Sequence, residues 1–155
     1  MAIKLVRIDD RLIHGQIAAV WSKSLSINRI WIVDDKTAQD DFLQSVMKMV
    51  SPPDVELVIT STNEIKECVD KYDNAKDATL VLVKYPWVAK MLFDAGVKNK
   101  ALNVGGMQAT PERKLLYQNL SASDEERQTL HEMQESGIDV YFQVTPDVKK
   151  IPFSK

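Results

Sequence analysis

Apolar runs of strand length alternate along this chain with longer stretches in which apolar residues recur every three or four positions. Residues 3–8, 29–33, 55–60, 79–83, 101–104 and 138–144 are predicted strands, dominated by Ile, Val and Leu. Helices are predicted between them. Residues 16–24 place Ile17, Val20 and Trp21 on one face, and Phe42, Leu43, Val46, Met47 and Val50 follow at helical spacing until Pro52-Pro53 stops that helix. Ile65, Cys68, Val69 and Tyr72 mark a further helix face. Pro86 suits the first turn of a helix that buries Val88, Met91 and Leu92 and ends near Gly96. Ser123 and Glu126 have the spacing of a capping box, and Gly137 suits the end of that last helix. The run 79–83 reads as a central strand covered on both faces.

Strand–helix alternation predicts an α/β fold: a single open, mainly parallel twisted sheet with helices on both faces. The 155 residues read as one domain, 1–155. With 45% hydrophobic and 27% charged residues the composition is that of an ordinary globular chain. The 20 basic and 22 acidic residues leave a net charge of −2, so no clustered excess of Lys and Arg points to nucleic acid as partner. Cys68 is the only cysteine, which rules out an internal disulfide and any CxxC motif. No apolar run approaches the roughly 20 residues of a membrane span and no signal-peptide pattern precedes the first strand, so a cytoplasmic location is expected. In open parallel sheets ligands sit beyond the carboxyl ends of the strands. That rule directs attention to residues 9–15, 34–36, 84–87 and 105–110.

The first of these loops is the most unusual. Arg7-Ile8-Asp9-Asp10-Arg11-Leu12-Ile13-His14-Gly15-Gln16 crowds charged groups and a histidine between a strand and a helix. The amides and positive end of a following helix stabilise an anion there. Gly15, without a Cβ, lets the backbone come close to it. Arg11 offers a planar fork to phosphate oxygens, and His14 supplies a nucleophilic nitrogen that is largely neutral at cellular pH. Phosphoryl transfer asks mainly for alignment and charge stabilisation, which this set of groups provides. Asp9 or Asp10 would orient the loop by accepting backbone N–H bonds or by pairing with Arg7 or Arg11. The plain alternative is a connecting loop with solvated charges and His14 as a polar first-turn residue.

With this loop, the chain resembles the IIB components of the mannose/fructose/sorbose family of the bacterial sugar phosphotransferase system. The resemblance also rests on Trp31-Ile32-Val33-Asp34-Asp35, Pro52-Pro53, Asn103-Val104-Gly105-Gly106-Met107, and the last third from Ser121 through Gly137 to Val144-Thr145-Pro146. It covers essentially the whole chain. One departure is Gly106, where the family pattern has Asn. The resemblance implies that His14 accepts a phosphoryl group on Nδ1 from a phosphohistidine IIA partner. It implies transfer onward to a sugar imported through a membrane IIC/IID complex, so that contact with the membrane comes only through partners. Arg11 would steady the phosphoryl group, with Asp9, Asp10, Gly15 and Gln16 supporting the loop. Neither a metal nor another cofactor is implied, and the sugar itself is not encoded in these residues.

Other candidates are read more plainly. His131, beside Glu132, is a solvated helix residue, and Cys68 on an apolar helix face is an inert buried thiol. Asp34, Asp35, Asp40 and Asp41 favour the first turn of the following helix rather than a metal. Gly105-Gly106 belongs to no nucleotide-binding motif and allows a turn beyond the fifth strand, with a helper role beside the phosphate loop left open. Trp21, Trp31 and Trp87 are core or core-edge residues, Trp87 being also a candidate for a docking surface. Two other functions compete. An aspartate phospho-acceptor of the response-regulator type would use Asp9-Asp10 and Lys84, but residues 55–60 end without the expected aspartate. A non-catalytic module would only hold a small anion in the loop.

Overall fold

The computed structural model describes residues 2–154. Its elements are β1 (Ile3–Asp9), α1 (Ile17–Ser24), β2 (Arg29–Val33), α2 (Asp35–Ala38), α3 (Asp41–Val50), β3 (Glu56–Thr60), α4 (Ile65–Asp73), β4 (Thr79–Val83), α5 (Pro86–Asp94), β5 (Ala101–Gly106), β6 (Lys114–Tyr117), β7 (Leu120–Ala122), α6 (Asp124–Glu135), β8 (Asp139–Phe142) and β9 (Ile151–Pro152). Seven strands form one sheet in the order β3-β2-β4-β1-β5-β8-β9. All neighbours pair in parallel except β9, which runs antiparallel to β8. The expected open, mainly parallel sheet is therefore present, and the antiparallel edge is an addition to it.

Alternation along the strands splits the core into two layers. Trp31 and Val33 of β2 and Val81 and Val83 of β4 join Ile65, Val69, Leu92, Leu130 and Met133 from α4, α5 and α6. Ile30, Ile32, Leu80 and Leu82 point the other way and meet Leu12, Ile13, Ala18 and Trp21 of the first loop and α1. β4, flanked by β1 and β2, is buried at all five residues, as its near-continuous apolar run requires.

Several expectations change in detail. Met91 is 42% exposed rather than buried, and Val20, predicted on the same face as Trp21, is 40% exposed. α3 has no buried residue, and Phe42 and Met49 are 74% and 83% exposed. Its periodicity is real, but β3 lies at the sheet edge, where Met47 packs on the second core layer beside half-covered Leu57 and Ile59. Trp87 is half exposed and stacks on Tyr85 with ring centroids 4.5 Å apart. The β6–β7 hairpin, α2 and β9 carry too few residues for a period to be visible in the sequence. The last predicted strand ends at Phe142 instead of residue 144, because Gln143 and Val144 turn toward β1 and α1.

Candidate functional site

The site is built on the carboxyl end of β1. A register shift between Ile8 and Asp9 sets Asp9 opposite Gly106 of β5. The chain then turns tightly, with the Leu12 amide donating to the Asp9 carbonyl at 2.8 Å. Leu12 adopts a positive φ of 56°, a conformation that costs a branched side chain about 1–2 kcal/mol. Its burial, together with that of Ile13, offsets this cost, since both side chains are held in the second core layer. Anchored by this pair, the next residue, His14, stands at the surface with 22% of its side chain exposed. Gly15 follows at φ +50°, where a Cβ would be strained. Gln16 is the N-cap of α1 and makes no side-chain cap, so the first-turn amides of that helix lack a side-chain partner from it.

One carboxylate organises the loop. Asp9 is 1% exposed, and its Oδ2 lies 2.9 Å from His14 Nε2 and 3.3 Å from Arg7 Nη2. Its Oδ1 accepts the Arg11 amide at 3.2 Å and lies 3.6 Å from Arg11 Nε. A carboxylate only accepts, so in the neutral ring this contact selects the tautomer with the proton on Nε2 and the lone pair on Nδ1. Nδ1 makes no hydrogen bond among the described residues. The imidazole and the Arg11 guanidinium thus meet on the two oxygens of one side chain, and Arg11, 46% exposed, remains able to turn toward an incoming anion.

Behind Asp9 lies a buried guanidinium. Arg7 donates through Nη1 to the Asn103 side-chain oxygen and to the Gln143 carbonyl, the latter at 2.9 Å, and lies 5.3 Å from the Trp21 ring centroid. Burial lowers the Arg7 pKa from its usual range, and Asp9 opposes that shift. Arg7 and Asp9 lie flat across β5. A Cβ on Gly105 would fall 2.0 Å from Arg7 Cζ, and one on Gly106 would fall 2.5 Å from Asp9 Oδ1. The glycine pair is therefore the floor of this charge cluster. An asparagine at 106 would require Asp9 to sit elsewhere.

Asp10 faces the other way. Its amide donates to the Gly106 carbonyl at 3.0 Å, and its carboxylate accepts the Gln108 amide at 2.8 Å and Arg113 Nη1 at 2.9 Å. Arg113 also grips Glu126 with Nε and Nη2, both at 2.8 Å. Glu126 and then Asp10 raise the Arg113 pKa, against burial. Burial disfavours the Glu126 carboxylate, but the Arg113 fork and the Ser123 amide win and hold its pKa below the usual range. Asp10, Lys84, Tyr85, Trp87, Gln108 and Arg113 line a cleft of about 550 Å³, which brings the loops 84–87 and 105–110 beside the first loop.

All six residues singled out in the first loop thus surround one end of the sheet. Arg7 as a buried member, Asn103, Gln108, Arg113, Glu126 and Gln143 were not among the candidates. The available signals were a charged pair, Arg7 and Asp9, inside an apolar strand and a glycine pair at the end of another. Asp34 and Asp40 are helix caps, accepting the amides of Thr37 and Leu43 at 3.1 Å each. Asp35 and Asp41 stand in the first turns of α2 and α3, and Asp35 also accepts the Thr62 amide at 2.7 Å. His131 pairs with Glu135 one helical turn on. Among the described residues no group of three His, Cys, Asp or Glu side chains is arranged to hold a metal.

Fold and site together define an α/β protein that places a partly exposed histidine, paired with a buried carboxylate, just before its first helix. Residues 3–155 match the family described as PTS system sorbose subfamily IIB component, and the chain belongs to that family of phosphotransferase-system proteins. It is 31% identical over 141 residues to the sorbose-specific EIIB component of Klebsiella pneumoniae, covering 89% of this chain and 84% of the relative. It is also 31% identical over 143 residues to the mannose-specific EIIAB component of Escherichia coli K12, covering 90% of this chain but only 43% of that longer protein. The crystal structure of the IIBSor domain of the sorbose permease from Klebsiella pneumoniae superposes with a TM-score of 0.88 at 29% identity, covering 98% of this chain and 93% of that one.

Proposed function

We propose that this chain, as a single IIB domain, is the phosphocarrier of a sugar phosphotransferase system and that His14 is its phosphoryl acceptor. The supporting observation is the 2.9 Å contact between Asp9 and His14 Nε2, which leaves Nδ1 as the free nucleophilic nitrogen at the surface. The Nδ1 lone pair forms the new N–P bond while the donor's P–N bond breaks, and the donor ring keeps that electron pair. The ring of His14 becomes cationic, with its Nε2 proton facing Asp9. Charge on the phosphoryl oxygens is met by Arg11 and by the uncapped amides at the start of α1. Gly15 and Gln16 leave that approach open.

The donor is a IIA domain phosphorylated on histidine, a partner consistent with the joined EIIAB relative. The acceptor is a sugar brought in by a IIC/IID membrane complex. No helix among the described residues is long and apolar enough to cross a membrane, so in this reading the chain works on the cytoplasmic side and reaches the bilayer through partners. The test is reconstitution with upstream carriers and labelled phosphoenolpyruvate. Wild type takes up label that is acid-labile and alkali-stable, His14→Ala takes up none, and Arg11→Ala labels more slowly. Full labelling of His14→Ala, or label removed by hydroxylamine as from an acyl phosphate, overturns the proposal.

A further inference from the structure

We infer that residues 106–113, some hundred positions from the histidine, form the fixed half of the transfer site, with Gly106 and Arg113 as positioning residues for the two aspartates of the His14 loop. This rests on the phosphohistidine reading above. Each aspartate has its own support. Asp9 fits only because position 106 has no side chain, since a Cβ there would stand 2.5 Å from its Oδ1 and 2.8 Å from its Cγ. Asp9 cannot swing away without loss, because its oxygens are engaged by Arg7, by the Arg11 amide and by His14. Any retreat therefore loosens the bond that selects the ring tautomer.

Asp10 is tied entirely to the opposite loop. Gln108 meets it with its amide at 2.8 Å and with Nε2 at 3.2 Å, and Arg113 meets it with Nη1. Arg113 has an 8% exposed side chain and is fixed in turn by both oxygens of Glu126. Ser123 locks Glu126 by a reciprocal capping box, its amide donating to Oε1 at 3.0 Å and its Oγ accepting the Glu126 amide at 3.1 Å. The loop that presents His14 is thereby referenced to α6, a twelve-residue helix, and not to the uncapped start of α1. Lysine does not reproduce Arg113, because its single ammonium lacks the planar fork that holds both Glu126 oxygens and Asp10 with three separate nitrogens.

The experiment compares full-length wild type, Gly106→Ala, Arg113→Met, Arg113→Lys and His14→Ala, each at a temperature where circular dichroism shows it fully folded. Single-turnover phosphorylation by the upstream donor gives the rate at saturation and the half-saturating donor concentration, and ¹⁵N spectra report the His14 ring nitrogens. The saturating rate is expected to fall about 10- to 100-fold in Gly106→Ala and Arg113→Met. The half-saturating donor concentration stays within about twofold, as loss of transition-state alignment rather than docking predicts. Arg113→Lys does not recover the wild-type rate, and the ring spectrum of Gly106→Ala departs from that of wild type. Wild-type saturating rates in Gly106→Ala and Arg113→Met, or an unchanged ring spectrum in Gly106→Ala, overturn the inference. Labelling of His14→Ala would overturn the phosphohistidine reading alone, and the ring spectrum would still decide the positioning of Asp9.

Discussion

Replacing Asp9 with asparagine separates what one carboxylate does for stability from what it does for chemistry. The substitution keeps the volume and removes one charge. Its two arginine partners respond differently because their exposure differs. Arg7 is 2% exposed and Arg11 46%. Without Asp9, Arg7 retains only neutral acceptors, the Asn103 side chain and the Gln143 carbonyl. A buried charge left uncompensated costs about 3–5 kcal/mol. The Arg11 pair, long and largely exposed, contributes about 0–1 kcal/mol. Asp9→Asn should therefore lose about 3–5 kcal/mol of unfolding free energy, against about 1 or less for Arg11→Ala. At roughly 2–4 °C per kcal/mol for a chain of this size, the melting temperature falls by about 6–20 °C. Urea unfolding and calorimetry measure both. A second step isolates the cause. Arg7→Met combined with Asp9→Asn removes the orphaned charge and should recover much of the stability, while His14 labelling stays impaired because its Nε2 still lacks the carboxylate. The reasoning is refuted if Asp9→Asn costs no more than Arg11→Ala, or if the double variant is no more stable than Asp9→Asn.

Two other outcomes follow from the same geometry. The folded state holds Glu126 below the usual carboxylate range, so its contribution is fully present above the unfolded pKa of about 4.3 and is lost as pH falls through the folded value. The stability gap between wild type and Glu126→Gln should accordingly be largest near neutrality and shrink on acidification below about pH 4, and a gap independent of pH in urea titrations would contradict this. Leu12→Gly relieves the strain at φ 56° but removes a buried anchor, for a net loss of about 1–4 kcal/mol in urea unfolding and slower labelling of His14. A variant as stable as wild type would show that the side chain does not anchor the loop.

Periodicity alone was sufficient for the α/β class and the six parallel strands, because each buries enough apolar residues to leave a pattern. The candidate loop stood out for a related reason: five charged or ionisable groups within eight residues, Arg7 to His14, are more than a plain turn needs. Asp9, Asp10, Arg11, His14, Gly15 and Gln16 were singled out on that ground. The exposed face of α3 was not legible, since an apolar period says that a face exists and not what covers it.

What lay within one stretch of chain, the candidate histidine, its neighbouring arginine and the helix mouth, was determined by sequence, because backbone connectivity alone brings those groups together. The partners of Asp9 and Asp10 were decided by the tertiary fold. Placing β5 beside β1 sets Gly105 and Gly106 beneath Arg7 and Asp9, and the connection to α6 carries Arg113 and Glu126 back to Asp10. Charges a hundred residues apart have no sequence signature of pairing. Their meeting is enforced by strand order and burial, which leave a desolvated charge no other way to be satisfied.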